Sequence, residues 1–156
     1  MDNSVGSKVN IEKLLSEGKT VEVPITGFSM YPLLSSKRDR VVICPVKDMK
    51  VKRGDVVLFR RSGEKLVLHR LYNRNEAGYF FAGDNEYKKE GPVAKAQLRG
   101  VMTAFVRNGR RYSVKNPAYI VYFRLWMFLL PIRPFIAKTV HGIKCLFNAG
   151  GREKTK

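Results

Sequence analysis

The residues best suited to chemistry are Ser29, His69 and Asp84, each in a local setting that can present it. Ser29 lies in Thr26-Gly27-Phe28-Ser29-Met30-Tyr31-Pro32, directly after a β-like run. Glycine reaches backbone angles closed to other residues and proline fixes its own, so together they hold the serine on a tight path. Such a turn projects the hydroxyl and leaves backbone N–H groups free around it, as a serine nucleophile with an oxyanion hole requires. Serine between glycine and proline is more often an ordinary turn residue, so this reading needs a base to support it.

The base is His69, within Lys65-Leu66-Val67-Leu68-His69-Arg70-Leu71-Tyr72. Strand alternation places Lys65, Val67, His69 and Leu71 on one face. Apolar neighbours partly desolvate an imidazole and keep it neutral near pH 7, ready to accept a proton. Lys65 is a rival base, but it stands about 13 Å from His69 at ~3.3 Å per residue, so only one of them reaches a given serine. His141 belongs to the basic tail and is a poorer candidate. A strand histidine is also a common core residue. In Phe81-Ala82-Gly83-Asp84-Asn85 the carboxylate of Asp84 could orient the imidazole, as the acid of a protease triad does, although Gly-Asp-Asn is equally a turn.

These residues must be positioned by a mainly β fold. Ile11, Leu14 and Leu15 recur at helical spacing before Gly18, which predicts a short helix over residues 8–17. Val/Ile/Leu/Phe/Tyr-rich runs predict strands at Thr20–Thr26, Arg40–Cys44, Asp55–Arg60, Lys65–Tyr72, Tyr79–Ala82, Gln97–Arg107 and Arg111–Val114, separated by turn-forming clusters such as Arg53-Gly54-Asp55 and Asn108-Gly109. Short, closely spaced strands argue for a sandwich or barrel-like sheet assembly. Pro24 suits an edge strand leading into the serine. Two helices flanking Pro131 are predicted in the tail, one over about 118–130 and one from Pro134. The organisation expected is an N-terminal helix over 1–20, a catalytic domain over 21–115 and a basic helical tail over 116–156.

Read in order, Gly27-Phe28-Ser29-Met30-Tyr31-Pro32, Arg53-Gly54-Asp55-Val56-Val57-Leu58-Phe59, His69-Arg70 and Gly83-Asp84-Asn85 resemble the successive boxes of the type I signal peptidase family, over residues 21 to about 106. The resemblance implies a serine endopeptidase with Ser29 as nucleophile, His69 as general base and Asp84 as supporting acid. Most bacterial members carry lysine at the base position, whereas histidine before arginine is the archaeal and endoplasmic-reticulum type. It further implies a peptide or preprotein substrate with small side chains beside the cut, and neither cofactor nor metal. Thr26, Gly27, Phe28 and Met30 would contact that substrate, although Phe28, Met30 and Tyr31 could as easily be core. Three features depart from the family pattern. Gly27 leaves no serine hydroxyl two residues before the nucleophile, so the oxyanion would rely on backbone N–H groups, chiefly that of Ser29. The second acid of the Ser-His branch is represented only by glutamates, in Glu86-Tyr87-Lys88-Lys89-Glu90. The residues before Ser29 hold no apolar run long enough for the family's N-terminal membrane anchor, so none is expected there.

Composition bounds the alternatives. Of 156 residues, 30 are Lys or Arg and 13 Asp or Glu, a net charge of +17, while 44% hydrophobic content excludes a disordered basic tail. Residues 107–156 hold 11 Lys/Arg against Glu153 alone, a net of +10. Cys44 and Cys145 stand apart, with no spacing for zinc or a disulfide framework. A self-cleaving repressor-type peptidase is disfavoured, because no alanine or cysteine precedes Ser29 and 28 residues leave no room for a DNA-binding domain. A non-catalytic basic module binding nucleic acid or membrane is the remaining competitor. No specific nucleic-acid motif occurs, and the aromatic, basic stretch 116–147 suits an anionic membrane surface, the equal alternative being that residues 118–147 simply pack on the β domain. With no secretory h-region at the N-terminus, the expected location is cytoplasmic, peripheral on the inner face of the membrane.

Overall fold

A computed structural model describes residues 10–47, 49–62, 65–86 and 88–129. Helix α1 (Ile11–Ser16) begins at Asn10, whose side chain accepts the Lys13 N–H at 3.1 Å, and so starts later than the predicted residue 8. It ends where Gly18 turns left-handed, at φ +83°, and the Gly18 and Lys19 N–H groups return to the carbonyls of Leu15 and Leu14. Leu15 is buried in the core. Glu12 accepts from Arg60 and Arg99 on two different strands, which clamps the helix to the sheet.

The strands are β1 (Val21–Pro24), β2 (Asp39–Pro45), β3 (Val56–Arg60), β4 (Leu66–Asn75), β5 (Gly78–Ala82), β6 (Glu90–Val93), β7 (Leu98–Arg107) and β8 (Arg110–Ser113). They form one antiparallel sheet in the order β1-β2-β7-β3-β4-β5-β6, and β8 pairs with the second half of β7. The protein is thus mainly β, as the patterning predicts, but the sheet is open, with β1 and β6 at its edges. β6 is absent from the predicted strands, because Gly91 and Pro92 interrupt the apolar pattern there. Proline is tolerated there because, among the described residues, β6 pairs with β5 alone.

Alternation along β3 sends Val56 and Leu58 to one face and Val57 and Phe59 to the other, and both faces are covered. The first core gathers Leu15, Ile25, Met30, Leu34, Ile43 and Met102, and Leu66 and Leu68 of β4 pack against it. The sheet curls around this core and brings β1 across from β4. The second core is built on Phe59, stacked on Phe81 with ring centroids 4.4 Å apart, together with Leu71 and Val101.

Helix α2 (Pro117–Phe128) follows an Asn116 cap and seats Tyr119, Tyr122 and Phe123 against the first core. It agrees with the helix expected near 118–130. The helix expected from Pro134 lies outside the described residues, as does His141.

Gly100 of β7 is a point of close approach: a Cβ there would strike the Ile43 side chain and lie 2.8 Å from the Cys44 carbonyl oxygen. Gly100→Ala is expected to destabilise the fold by about 1–3 kcal/mol, from overpacking between β2 and β7. Urea unfolding checks this, and an unchanged midpoint would show that the two strands separate at little cost.

Candidate active site

The loop Ile25–Leu34 carries the serine. Its apolar residues Met30, Leu33 and Leu34 are buried in the first core, while Thr26, Gly27 and Phe28 face solvent and Ser29 is half-buried. Of the four residues expected beside substrate, Met30 is therefore a core residue that also reaches the cavity wall, and Thr26 lines that wall. Gly27 takes φ +79°, which a side chain would oppose. Two backbone hydrogen bonds, Tyr31 N–H to Phe28 O and Leu34 N–H to Met30 O, close the turn around Ser29.

The Ser29 carbonyl accepts the Asn85 N–H at 2.7 Å. A Cβ on Gly83 would lie 2.6 Å from that same carbonyl oxygen. The glycine of Gly83-Asp84-Asn85 is thus required because two backbones touch there, and this contact brings the serine loop against the β5–β6 turn.

His69 stands on β4 opposite Val57, only 2% exposed, with its ring 6.2 Å from that of Phe59. Glu86 Oε2 faces its Nε2, and Glu90 Oε2 faces its Nδ1, each at 3.6 Å. Both distances exceed a hydrogen bond, and Nδ1 is buried with no hydrogen-bond partner among the described residues. Burial pushes the imidazole below its usual 6.5, with a contribution from Arg61, and outweighs the upward pull of Glu86, Glu90 and Asp84. Glu90 itself is held below the usual carboxylate range, chiefly by hydrogen bonds from Arg61, the one at Oε2 measuring 2.6 Å.

Asp84 gives both carboxylate oxygens to Arg70, at 2.8 Å from Nε and 2.6 Å from Nη2. Both side chains are almost wholly buried. Arg70 also donates to the Gly54 carbonyl at 2.8 Å and to the Tyr119 hydroxyl at 3.2 Å. Burial opposes its charge, but Asp84 raises its pKa far above the ordinary value. Asp84, expected to support His69, thus acts on the imidazole as a nearby charge, while the carboxylates aimed at the ring nitrogens are Glu86 and Glu90. The sequence reading assigns Asp84 to His69 and gives Arg70 no partner; the pair with Arg70 emerges only from the fold. Nor does the sequence carry a sign of Tyr119 or Arg61 as partners.

Ser29, His69 and Glu86 line one cavity of about 460 Å³. Its walls are Val23–Thr26, from β1 onward, and Leu66–His69 of β4. β1 pairs only with β2, and β4 meets β5 only from Arg70 onward. Two strand edges without a partner among the described residues therefore border the cavity. Lys65 is exposed at the start of β4. Among the described residues, no group of three or more His, Cys, Asp or Glu side chains could hold a metal ion. Two hollows of about 700 and 730 Å³ elsewhere include neither Ser29 nor His69.

Comparison of the chain with protein-family models, curated proteins and solved structures finds no match.

Because Asp84 neutralises a buried guanidinium, Asp84→Asn is expected to cost about 3 kcal/mol or more, the usual penalty for leaving a buried charge unpaired. Equilibrium unfolding measures it. A loss below about 1 kcal/mol would mean that solvent reaches Arg70.

Proposed function

We propose that this protein is a serine endopeptidase of the signal-peptidase-like class, cutting a leader or signal peptide after small residues. The observation that carries the reading is that Ser29 and His69 share one cavity bordered by two strand edges that have no partner among the described residues. An extended peptide laid between β1 and β4 would add main-chain hydrogen bonds to either edge and bring its scissile carbonyl to the serine. The order of the Gly27–Pro32, His69-Arg70 and Gly83–Asn85 boxes supports the same assignment.

In this reading His69 takes the Oγ proton of Ser29 as the oxygen attacks the carbonyl carbon, and the developing oxyanion is met by backbone N–H groups, chiefly that of Ser29. The imidazolium then protonates the leaving amine. In the second half, His69 takes a proton from water, the resulting hydroxide attacks the acyl ester, and the proton returns to Ser29. Glu90, fixed by Arg61, faces Nδ1 and stabilises the imidazolium. Thr26 and Met30 line the same cavity and would contact the side chains beside the cut.

The net charge of +17 supports a cytoplasmic site of action, peripheral to the anionic inner leaflet. Among the described residues no helix is long and apolar enough to cross a membrane.

Ser29→Ala and His69→Ala are each expected to reduce cleavage of a peptide with small residues at the cut by about 10³-fold or more. Lys65→Ala leaves it near wild type. Full activity in the His69 variant would refute the dyad, and loss in the Lys65 variant would give the base to lysine.

The pH profile provides a second check. The base must be neutral, and burial lowers its folded pKa, so kcat/KM is expected to fall as pH drops through a midpoint below 6.5. A midpoint above pH 8 would contradict histidine as the base.

A further inference from the structure

Helix α2 is apolar on two opposite faces. Inward, Tyr119 reaches Arg70, and Phe123 lies on the Arg53–Gly54 turn so closely that a Cβ on Gly54 would meet its ring at 2.5 Å. Outward, Val121, Leu125 and Phe128 recur at i, i+4 and i+7 and are 66%, 57% and 73% exposed. A soluble surface helix normally turns polar residues to that side, so an apolar outer face calls for a cover.

The surrounding charge indicates which cover fits. Arg124 is exposed beside the stripe, and Arg110, Arg111 and Lys115 are exposed just before the helix. From residue 107 to residue 129 there is no Asp or Glu. A second copy of the chain would bring two surfaces of the same high positive charge together, which opposes association there. We propose that the outer face of α2 docks on an anionic lipid bilayer, the helix lying in the headgroup plane with Val121, Leu125 and Phe128 inserted and the arginines on the phosphates. With 12 residues the helix is about 18 Å long, well short of the ~30 Å hydrocarbon layer, so it rests on the surface and does not cross. This docking does not depend on the peptidase reading.

The test is flotation of the full chain with vesicles of phosphatidylcholine, with and without phosphatidylglycerol. Its companion is the variant Val121→Asn/Leu125→Asn/Phe128→Asn, which alters only exposed side chains and is checked for folding by its unfolding midpoint. Wild type is expected to float with the anionic vesicles and to be released by salt, and the triple variant to partition about tenfold more weakly. Equal partition of variant and wild type would overturn the proposal and assign any binding to residues beyond 129. Equal binding to neutral vesicles, or no flotation, would also overturn it. The first would remove the arginines from the mechanism, and the second would leave an acidic protein or a second copy as the cover.

Discussion

The pair between Arg70 and Asp84 is the constraint on which the rest of the structure depends. Two charges are taken out of water together, which is tolerable only when every guanidinium nitrogen and both carboxylate oxygens are satisfied. Meeting that demand joins four separate parts of the chain: β4, the β5–β6 turn, the Arg53–Gly54 turn and α2. Because Arg70 follows His69 directly, whatever fixes the guanidinium also fixes the strand that carries the imidazole. Because Asp84 follows Gly83, the same pair brings the β5–β6 turn to the Ser29 loop, where Asn85 and the bare glycine complete the contact.

The imidazole is held by opposing forces. Phe59 and the walls of the cavity desolvate it and favour the neutral form, whereas Glu86 and Glu90 favour the charged one. The two glutamates are not equivalent. Glu90 is only 21% exposed at the side chain and is bound by Arg61, whereas Glu86 is 42% exposed and lines the cavity. One nitrogen of the ring therefore faces a fixed acid, and the other faces the open side. This asymmetry would suit a base that must give and take a proton on one side only.

Much of the fold was legible because strands and helices announce themselves by period. Seven of the strands follow from runs of β-branched and aromatic residues, and α2 from its apolar stretch after Asn-Pro. β6 was hidden because Gly91 and Pro92 punctuate it, and only the presence of β5 beside it makes four such residues a strand. The start of α1 differs from the predicted residue 8 for a similar local reason: Asn10 caps the helix, which begins at Ile11.

In the site, the sequence by itself determined which groups are available: one serine on a constrained turn, one strand histidine, and acids clustered after Gly83. It also determined which face of β4 each side chain takes, since alternation is built into the pleat. Only the tertiary structure decided the pairings. Asp84 went to Arg70, Glu90 to Arg61 and towards His69, and Tyr119, 49 residues from Arg70, closed the cluster. Spacing along the chain states which residue types can pair, but charge and hydrogen-bond energies fall off with distance in space. Which acid serves which base is therefore settled by how the sheet curls and what is buried between them.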